Sequence, residues 1–213
     1  IETLILDPEA LTYENGDLAH GGRAIDMVYN RLTDFDLSEP GHAHLRAALL
    51  DEAVVISPAP RHHALYANKR NLIWLSDPDS LKSFGADDAD RQVLAAIPDT
   101  RRVTEDVADE LWATRRGYFF KPAAGFGSRA AYRGDKLTKR VWSAILEGDY
   151  IAQALVPPTV RAVTVDQEPV TLKYDVRLYT YAGKTLLLAA RVYQGQTTNF
   201  RTSGGGFAPV YQF

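Results

Sequence analysis

The chain has 213 residues and no cysteine. Thiol catalysis, disulfides and Cys-based zinc sites are therefore excluded. No apolar run approaches the ~18 residues that a membrane-spanning helix needs. No signal peptide is visible, and a cytoplasmic location is expected. Internal repeats and low-complexity tracts are absent. An excess of one charge is lacking too: 24 Lys+Arg stand against 27 Asp+Glu, a formal net charge of −3. That gives no electrostatic case for a nucleic-acid or membrane partner. His62 and His63 are adjacent, so they do not face one way on a helix or a strand, and no third ligand is spaced nearby to complete a metal site. A Walker-type phosphate loop is missing as well. It needs a helix directly after its glycines, with Lys-Ser/Thr at the start. Here the lysine precedes the glycines and a strand follows.

What is present centres on Tyr118–Val156, which reads as strand, glycine-bearing loop, strand, helix, strand. Tyr118, Phe119 and Phe120 are aromatic strand formers that lead into Lys121. Pro122 cannot donate a ladder hydrogen bond and should end the strand. Gly125, Gly127 and Ser128 make a turn with bare backbone amides. Ala130–Tyr132 resume an extended run, predicting an antiparallel hairpin. Its tip can fold over a polyphosphate, with Lys121 as a point charge on the neighbouring strand. From Arg115 to Arg140 there are eight Lys/Arg and one acidic residue, a local net of +7. The same residues also describe an ordinary β-turn on a solvated basic hairpin. Asp135 can cap a helix over Lys136–Leu146, with Leu137, Val141 and Ile145 on one face. Tyr150–Val156 is then an apolar strand interrupted by Gln153, ended by Pro157-Pro158.

Upstream, Leu4–Leu6 reads as a short strand and Asn15-Gly16 as a tight hairpin turn. Ala24–Leu32 reads as a buried strand that delivers Asn30, Arg31 and Asp34 to its carboxyl end, where open α/β sheets place ligand residues. Arg31 and Asp34 equally describe a surface pair. A helix over His42–Leu50 and a parallel strand over Ala53–Ser57 suggest part of an α/β layer. A helix is predicted from about Ala64 to Leu75. Asp77–Glu110 holds ten acidic residues against four basic ones, and reads as an exposed connector with short helices at Asp90–Ile97 and Thr104–Thr114.

Downstream, Pro169–Ala182 alternates, with Val170, Leu172, Tyr174, Val176 and Leu178 on one face and Thr171, Lys173, Asp175 and Arg177 on the other. Asp175 and Arg177 thus project to the same side, about 7 Å apart. A turn at Gly183 returns the chain over Thr185–Tyr193, bringing in Arg191.

The order of lysine-bearing strand, glycine loop, helix and Gln-bearing strand resembles the ATP-grasp superfamily. Asp-x-Arg, then Ala-Arg, an Asn-containing loop and paired glycines resemble its glutathione-synthetase-like branch. The resemblance spans roughly Lys69–Val210. It implies an α/β (α+β) ATP-grasp fold with two lobes enclosing ATP. The expected division is 1–110 for an α/β layer and connector, 111–157 for a small lobe and 158–213 for a large-lobe sheet. By this resemblance Lys121 contacts the α/β phosphates and Gly125, Gly127 and Ser128 form the phosphate flap. Gln153, Ala154, Leu155 and Val156 run along the adenine edge. Lys69 also reaches toward ATP, although Asn68 stands where the family has Asp; a solvated helix face is the alternative for it. Arg177 and Arg191 line the site where the γ-phosphate meets an acceptor carboxylate, with Asn199 and Gly204–Gly206 in the acceptor loop. Guanidinium forks suit that role, because they neutralise a transferring phosphoryl group without losing their own proton. Cross-strand pairing with acidic residues is the alternative for both arginines.

One departure stands out. The family holds two Mg2+ ions with an acidic residue and a Glu-x-Asn pair, and hard cations need such oxygen ligands. No Asp or Glu follows Arg191. Asp175 is the remaining candidate ligand. The chain opens on Ile1 rather than Met, and a partial chain is expected: either the missing strands lie beyond Phe213, or, as the Ile1 start favours, the chain is of the circularly permuted type with Glu-x-Asn upstream of Ile1. The implied function is an ATP-dependent carboxylate–amine or carboxylate–thiol ligase acting through an acylphosphate on a small-molecule or peptide carboxylate. A small-molecule kinase and a non-catalytic nucleotide-binding domain are the alternatives. Nothing in the sequence speaks to oligomeric state.

Overall fold

Asn15 and Gly16 take φ values of 53° and 89°, the backbone that a two-residue hairpin turn requires. In the computed structural model, which describes residues 1–127, 129–165, 167–195 and 200–211, they join β1 (Thr12–Glu14) to β2 (Asp17–His20) as an antiparallel pair. The chain is mixed α+β, with several antiparallel sheets and helices. It divides into two compact units, Ile1–Ile97 with Pro122–Ala124, and Pro98–Lys121 with Gly125–Phe213. No described helix is long and apolar enough to cross a membrane.

In the first unit, β3 (Arg23–Ala24) extends the hairpin. Then β4 (Met27–Tyr29), α1 (Ala43–Leu50) and β5 (Val55–Ser57) follow, with β4 and β5 parallel as expected. Leu11, Leu18, Leu37, Leu45, Ala48 and Ile56 are buried together as its core. The expected buried strand over Ala24–Leu32 is corrected. Ala24 ends β3 and only Met27–Tyr29 form β4, where Met27 and Tyr29 are exposed while Val28 packs on the core. Leu4–Leu6 is not a strand either; Leu6 packs against the core from an irregular segment.

The single helix expected over Ala64–Leu75 is two, α2 (Pro60–Tyr66) and α3 (Asn71–Leu75). Side-chain chemistry explains the break. The Asn68 carboxamide oxygen accepts the Arg70 amide at 2.9 Å, a local turn that competes with the helix. The Lys69 amide leaves the helical ladder for the Ala123 carbonyl at 2.8 Å. Two further helices follow, α4 (Pro78–Ser83) and α5 (Asp88–Leu94), capped by Asp77 and Asp87.

The second unit begins with β6 (Thr100–Arg102), inside the stretch expected to be an exposed connector. β6 pairs with a strand fifty residues downstream, so it belongs to the sheet, upstream of the expected boundary at 110. Next come α6 (Ala108–Thr114), β7 (Tyr118–Pro122), β8 (Tyr132–Arg133), α7 (Lys139–Glu147) and β9 (Tyr150–Ala154), giving sheet order β6-β9-β7-β8. β7 and β8 are antiparallel, Phe119 opposite Arg133. Leu111, Phe120, Trp142, Ile145 and Ala152 form the core on one face. Burying Phe120, which has no exposed surface, is worth about 2–3 kcal/mol. Trp112 lies between the Arg115 guanidinium, 4.1 Å from its ring centroid, and the Lys139 ammonium, 4.3 Å away. The Lys139 contact ties α6 to α7.

The cap expected at Asp135 is also corrected. Thr138 caps α7, its hydroxyl oxygen accepting the Val141 amide at 3.3 Å. Gly134–Lys136 forms a 3-10 turn first, and Asp135 instead faces Arg133 at 3.1 Å. That turn is tightly packed: a Cβ on Gly134 would lie 1.7 Å from the Arg115 carbonyl oxygen.

The remaining strands are β10 (Thr159–Val165), β11 (Glu168–Tyr181), β12 (Lys184–Tyr193) and β13 (Gly206–Pro209), antiparallel in that order. The alternation read over Pro169–Ala182 matches β11. However, Leu172 is buried while Val176 and Leu178 on the same face are exposed. β10 reaches along β11 only to Tyr174, and β13 along β12 only to Ala189. Beyond those points the described strands form a two-stranded ribbon.

Gly134→Ala is expected to destabilise the second unit by more than about 2 kcal/mol, the scale of a backbone overpacking. The midpoint of urea or thermal unfolding measures it, and a wild-type midpoint would mean that the close approach is not required.

Candidate functional site

The clearest polar constellation in the second unit gathers around Lys121. Its ammonium donates to the Gln153 carboxamide oxygen at 2.7 Å. The Gln153 amide nitrogen donates to the Thr100 hydroxyl oxygen at 3.1 Å, and that hydroxyl donates to the Pro98 carbonyl at 2.9 Å. Three neighbouring strands thus supply one hydrogen-bonded chain. Arg133 lies directly opposite Phe119 and so shares the Lys121 face. Its Nε is 3.1 Å from Asp135 Oδ1 but poorly aligned, with no hydrogen bond made.

The loop after β7 carries the expected glycines. Gly125 has φ 124° and Gly127 φ 64°, conformations that side-chain-bearing residues rarely adopt. A Cβ on Gly127 would meet nothing within 4 Å, so open space surrounds it. Arg129 stacks its guanidinium 5.1 Å from the Phe126 ring centroid. Ser128 and Asn199 lie outside the described residues.

The adenine-edge assignment for Gln153–Val156 needs revision in detail. The Gln153 side chain serves Lys121. The Ala154 amide donates to the Asp99 carbonyl and the Leu155 amide to the Gly117 carbonyl, each at 2.8 Å. Those two donors are spent within the sheet, while Val156 is exposed.

On the second sheet, Arg191 grips Asp175 with two hydrogen bonds of 2.7 Å from Nε and an Nη. The two residues are direct cross-strand partners. The Asp175 hydrogen bond holds the Arg191 pKa above its ordinary value. Arg177 Nε stands 3.9 Å from the same carboxylate, so the two guanidiniums and the carboxylate do share a face. The Arg191 fork occupies both oxygens of Asp175, which makes it an ion-pair partner, the cross-strand alternative for that arginine. Gly204 and Gly206 adopt φ 70° and 147°, and Gly204 packs close to Val165 and Leu172.

Lys69 belongs to the first unit, in the turn between α2 and α3, and burial lowers its pKa. In that unit Asp34, Glu39 and His42 place ligand-type atoms within 4.8 Å of one another and could hold a metal ion. No sequence spacing marked this set, and Asp34 pairs with His42 at 2.6 Å rather than with Arg31. The Asp34 carboxylate also accepts the Glu39 amide at 2.8 Å. Burial pushes this carboxyl up, but the bonds from the Glu39 amide, His42 and Ser38 outweigh it and hold the group well below the usual carboxylate range. Asn30 is buried beside it in sequence, accepting the Leu32 amide at 2.9 Å. His63 stacks on Phe35.

No protein-family model matches the chain, and no curated protein matches it.

The Asp34 carboxyl titrates below its unfolded value of about 3.9, so its contribution is complete above that pH and lost as the pH falls toward the folded value. Asp34→Asn is expected to be less stable than wild type at about pH 6, and to lose less stability than wild type between about pH 5 and pH 2. Urea unfolding across that range checks it; parallel acid limbs would count against the assignment.

Proposed function

We propose that the chain is an ATP-grasp protein of the glutathione-synthetase-like type, an ATP-dependent carboxylate–amine or carboxylate–thiol ligase or the ATP-binding part of one. The observation that carries this reading is the Lys121 ammonium, held by Gln153 on the strand that leads into the Gly125–Gly127 loop. A fixed cation beside a glycine-bearing loop suits a polyphosphate. Lys121 would bind the α/β phosphates and the loop would cover them.

Arg177 would stabilise the transferring phosphoryl group, while Arg191 would hold the Asp175 carboxylate beside it. In that step the γ-phosphorus–oxygen bond to ADP breaks as a bond to the acceptor carboxylate oxygen forms. An amine or thiol then attacks the acyl carbon, and phosphate leaves with the carboxylate oxygen. Positioning and electrostatics supply the rate, since the protein has little covalent chemistry to perform.

Magnesium fits Asp175 poorly. Both oxygens of Asp175 are engaged by Arg191. The same observation favours a second reading, a nucleotide-binding domain without turnover. Product analysis distinguishes the possibilities: phosphate with an amide or thioester for a ligase, a phosphoester for a kinase, and neither for a binding domain.

Lys121→Ala is expected to weaken ATP binding about tenfold or more, the loss of a hydrogen bond from a charged group, with the circular dichroism spectrum retained. Titration calorimetry measures it, and an unchanged dissociation constant would overturn the reading.

A further inference from the structure

Thr100 is 3% exposed and sits in a strand that carries no recognisable motif. It lies directly opposite Gln153 in the β6/β9 pair. The flanking backbone bonds, Val103 amide to Tyr150 carbonyl and Ala154 amide to Asp99 carbonyl, make Thr100–Gln153 a non-hydrogen-bonded pair. Side chains approach most closely in that register. The hydrogens in this chain can run only one way. The Pro98 carbonyl only accepts, so the single Thr100 hydroxyl hydrogen is committed to it. The Thr100 oxygen must then accept, which places the Gln153 –NH2 group toward Thr100. The Gln153 oxygen is thereby turned to Lys121. The reverse amide orientation would set –NH2 against an ammonium, donor against donor.

We propose that Thr100 is a positioning residue for the nucleotide site: through the carboxamide of Gln153 it aims the Lys121 ammonium at the polyphosphate of a nucleoside triphosphate. This rests on the nucleotide-binding reading above. Gln153 fixes the lysine through a neutral group, so the tether itself does not cancel the charge that a phosphate would meet. Thr100 touches neither lysine nor nucleotide; it acts by selecting which end of an amide the lysine finds.

The test is a double-mutant cycle on ATP affinity, measured by calorimetry with the full chain. Thr100→Val keeps the shape and removes the hydroxyl. It is expected to weaken ATP binding about fivefold, the scale of one ordinary hydrogen bond, while Thr100→Ser retains wild-type affinity. In a Lys121→Met background Thr100→Val is expected to change nothing further, because its effect passes through the lysine. Gln153→Met cuts the same chain from the other side and replaces Thr100→Val in the cycle should that variant fail to fold. Wild-type affinity in the severed variant, or an equal loss with and without Lys121, overturns the proposal. ATP affinity unmoved by Lys121→Met overturns the nucleotide reading beneath it, a result distinct from both.

Discussion

A cation that is to bind an anion must be held still without being neutralised by whatever holds it. The Lys121–Gln153 hydrogen bond meets the first condition with a group that carries no charge. A carboxylate in place of the carboxamide would fix the ammonium more firmly and offset its charge. Arg191 illustrates that other case, since Asp175 grips it through both oxygens. Its pKa rises, which changes nothing functionally for a group that is charged throughout the accessible pH range. Arg177, at 3.9 Å, is held more loosely. The two sheets of the second unit therefore present cations under different restraint, one tethered by an amide and the others gathered on a shared carboxylate.

Much of the fold was legible wherever the signal was local. Asn15-Gly16 dictated a hairpin because few other residue pairs tolerate two successive positive φ angles. The parallel pair of β4 and β5 followed from strand, helix, strand order. Strict alternation in Pro169–Ala182 put Asp175 and Arg177 on one face, as observed. The failures were cases where a partner distant in sequence, or a competing local bond, decided the outcome. The helix through Asn68-Lys69-Arg70 had acceptable periodicity, but the Asn68 carboxamide and the Ala123 carbonyl took its backbone donors. β6 looked like an acidic connector because no single-sequence signal reveals that Thr100–Arg102 will pair with Ile151–Gln153.

The candidate site divides along the same line. Lys121, Gln153, Asp175, Arg177 and Arg191 were marked by residue type and strand position. Thr100 was not, since a threonine before two arginines carries no chemical signature by itself. The Asp34–Glu39–His42 cluster was also missed: Asp34 was noticed, as a strand-end ligand residue or as a partner for Arg31, but the turn that brings His42 onto it is not periodic. Exposure was harder still to read. Val176 and Leu178 continue an apolar face that Leu172 buries, yet β10 ends too soon to cover them.

The hydrogen bonds that orient Lys121 join residues 32 and 53 positions apart. Contacts of such separation are slow to form, because loop-closure entropy is lost before they are gained. The β7/β8 hairpin can assemble early from neighbouring residues, but its lysine acquires a fixed aim only after both β6 and β9 have docked. The direction in which the ammonium points is thus a property of the assembled sheet and not of the hairpin that carries it.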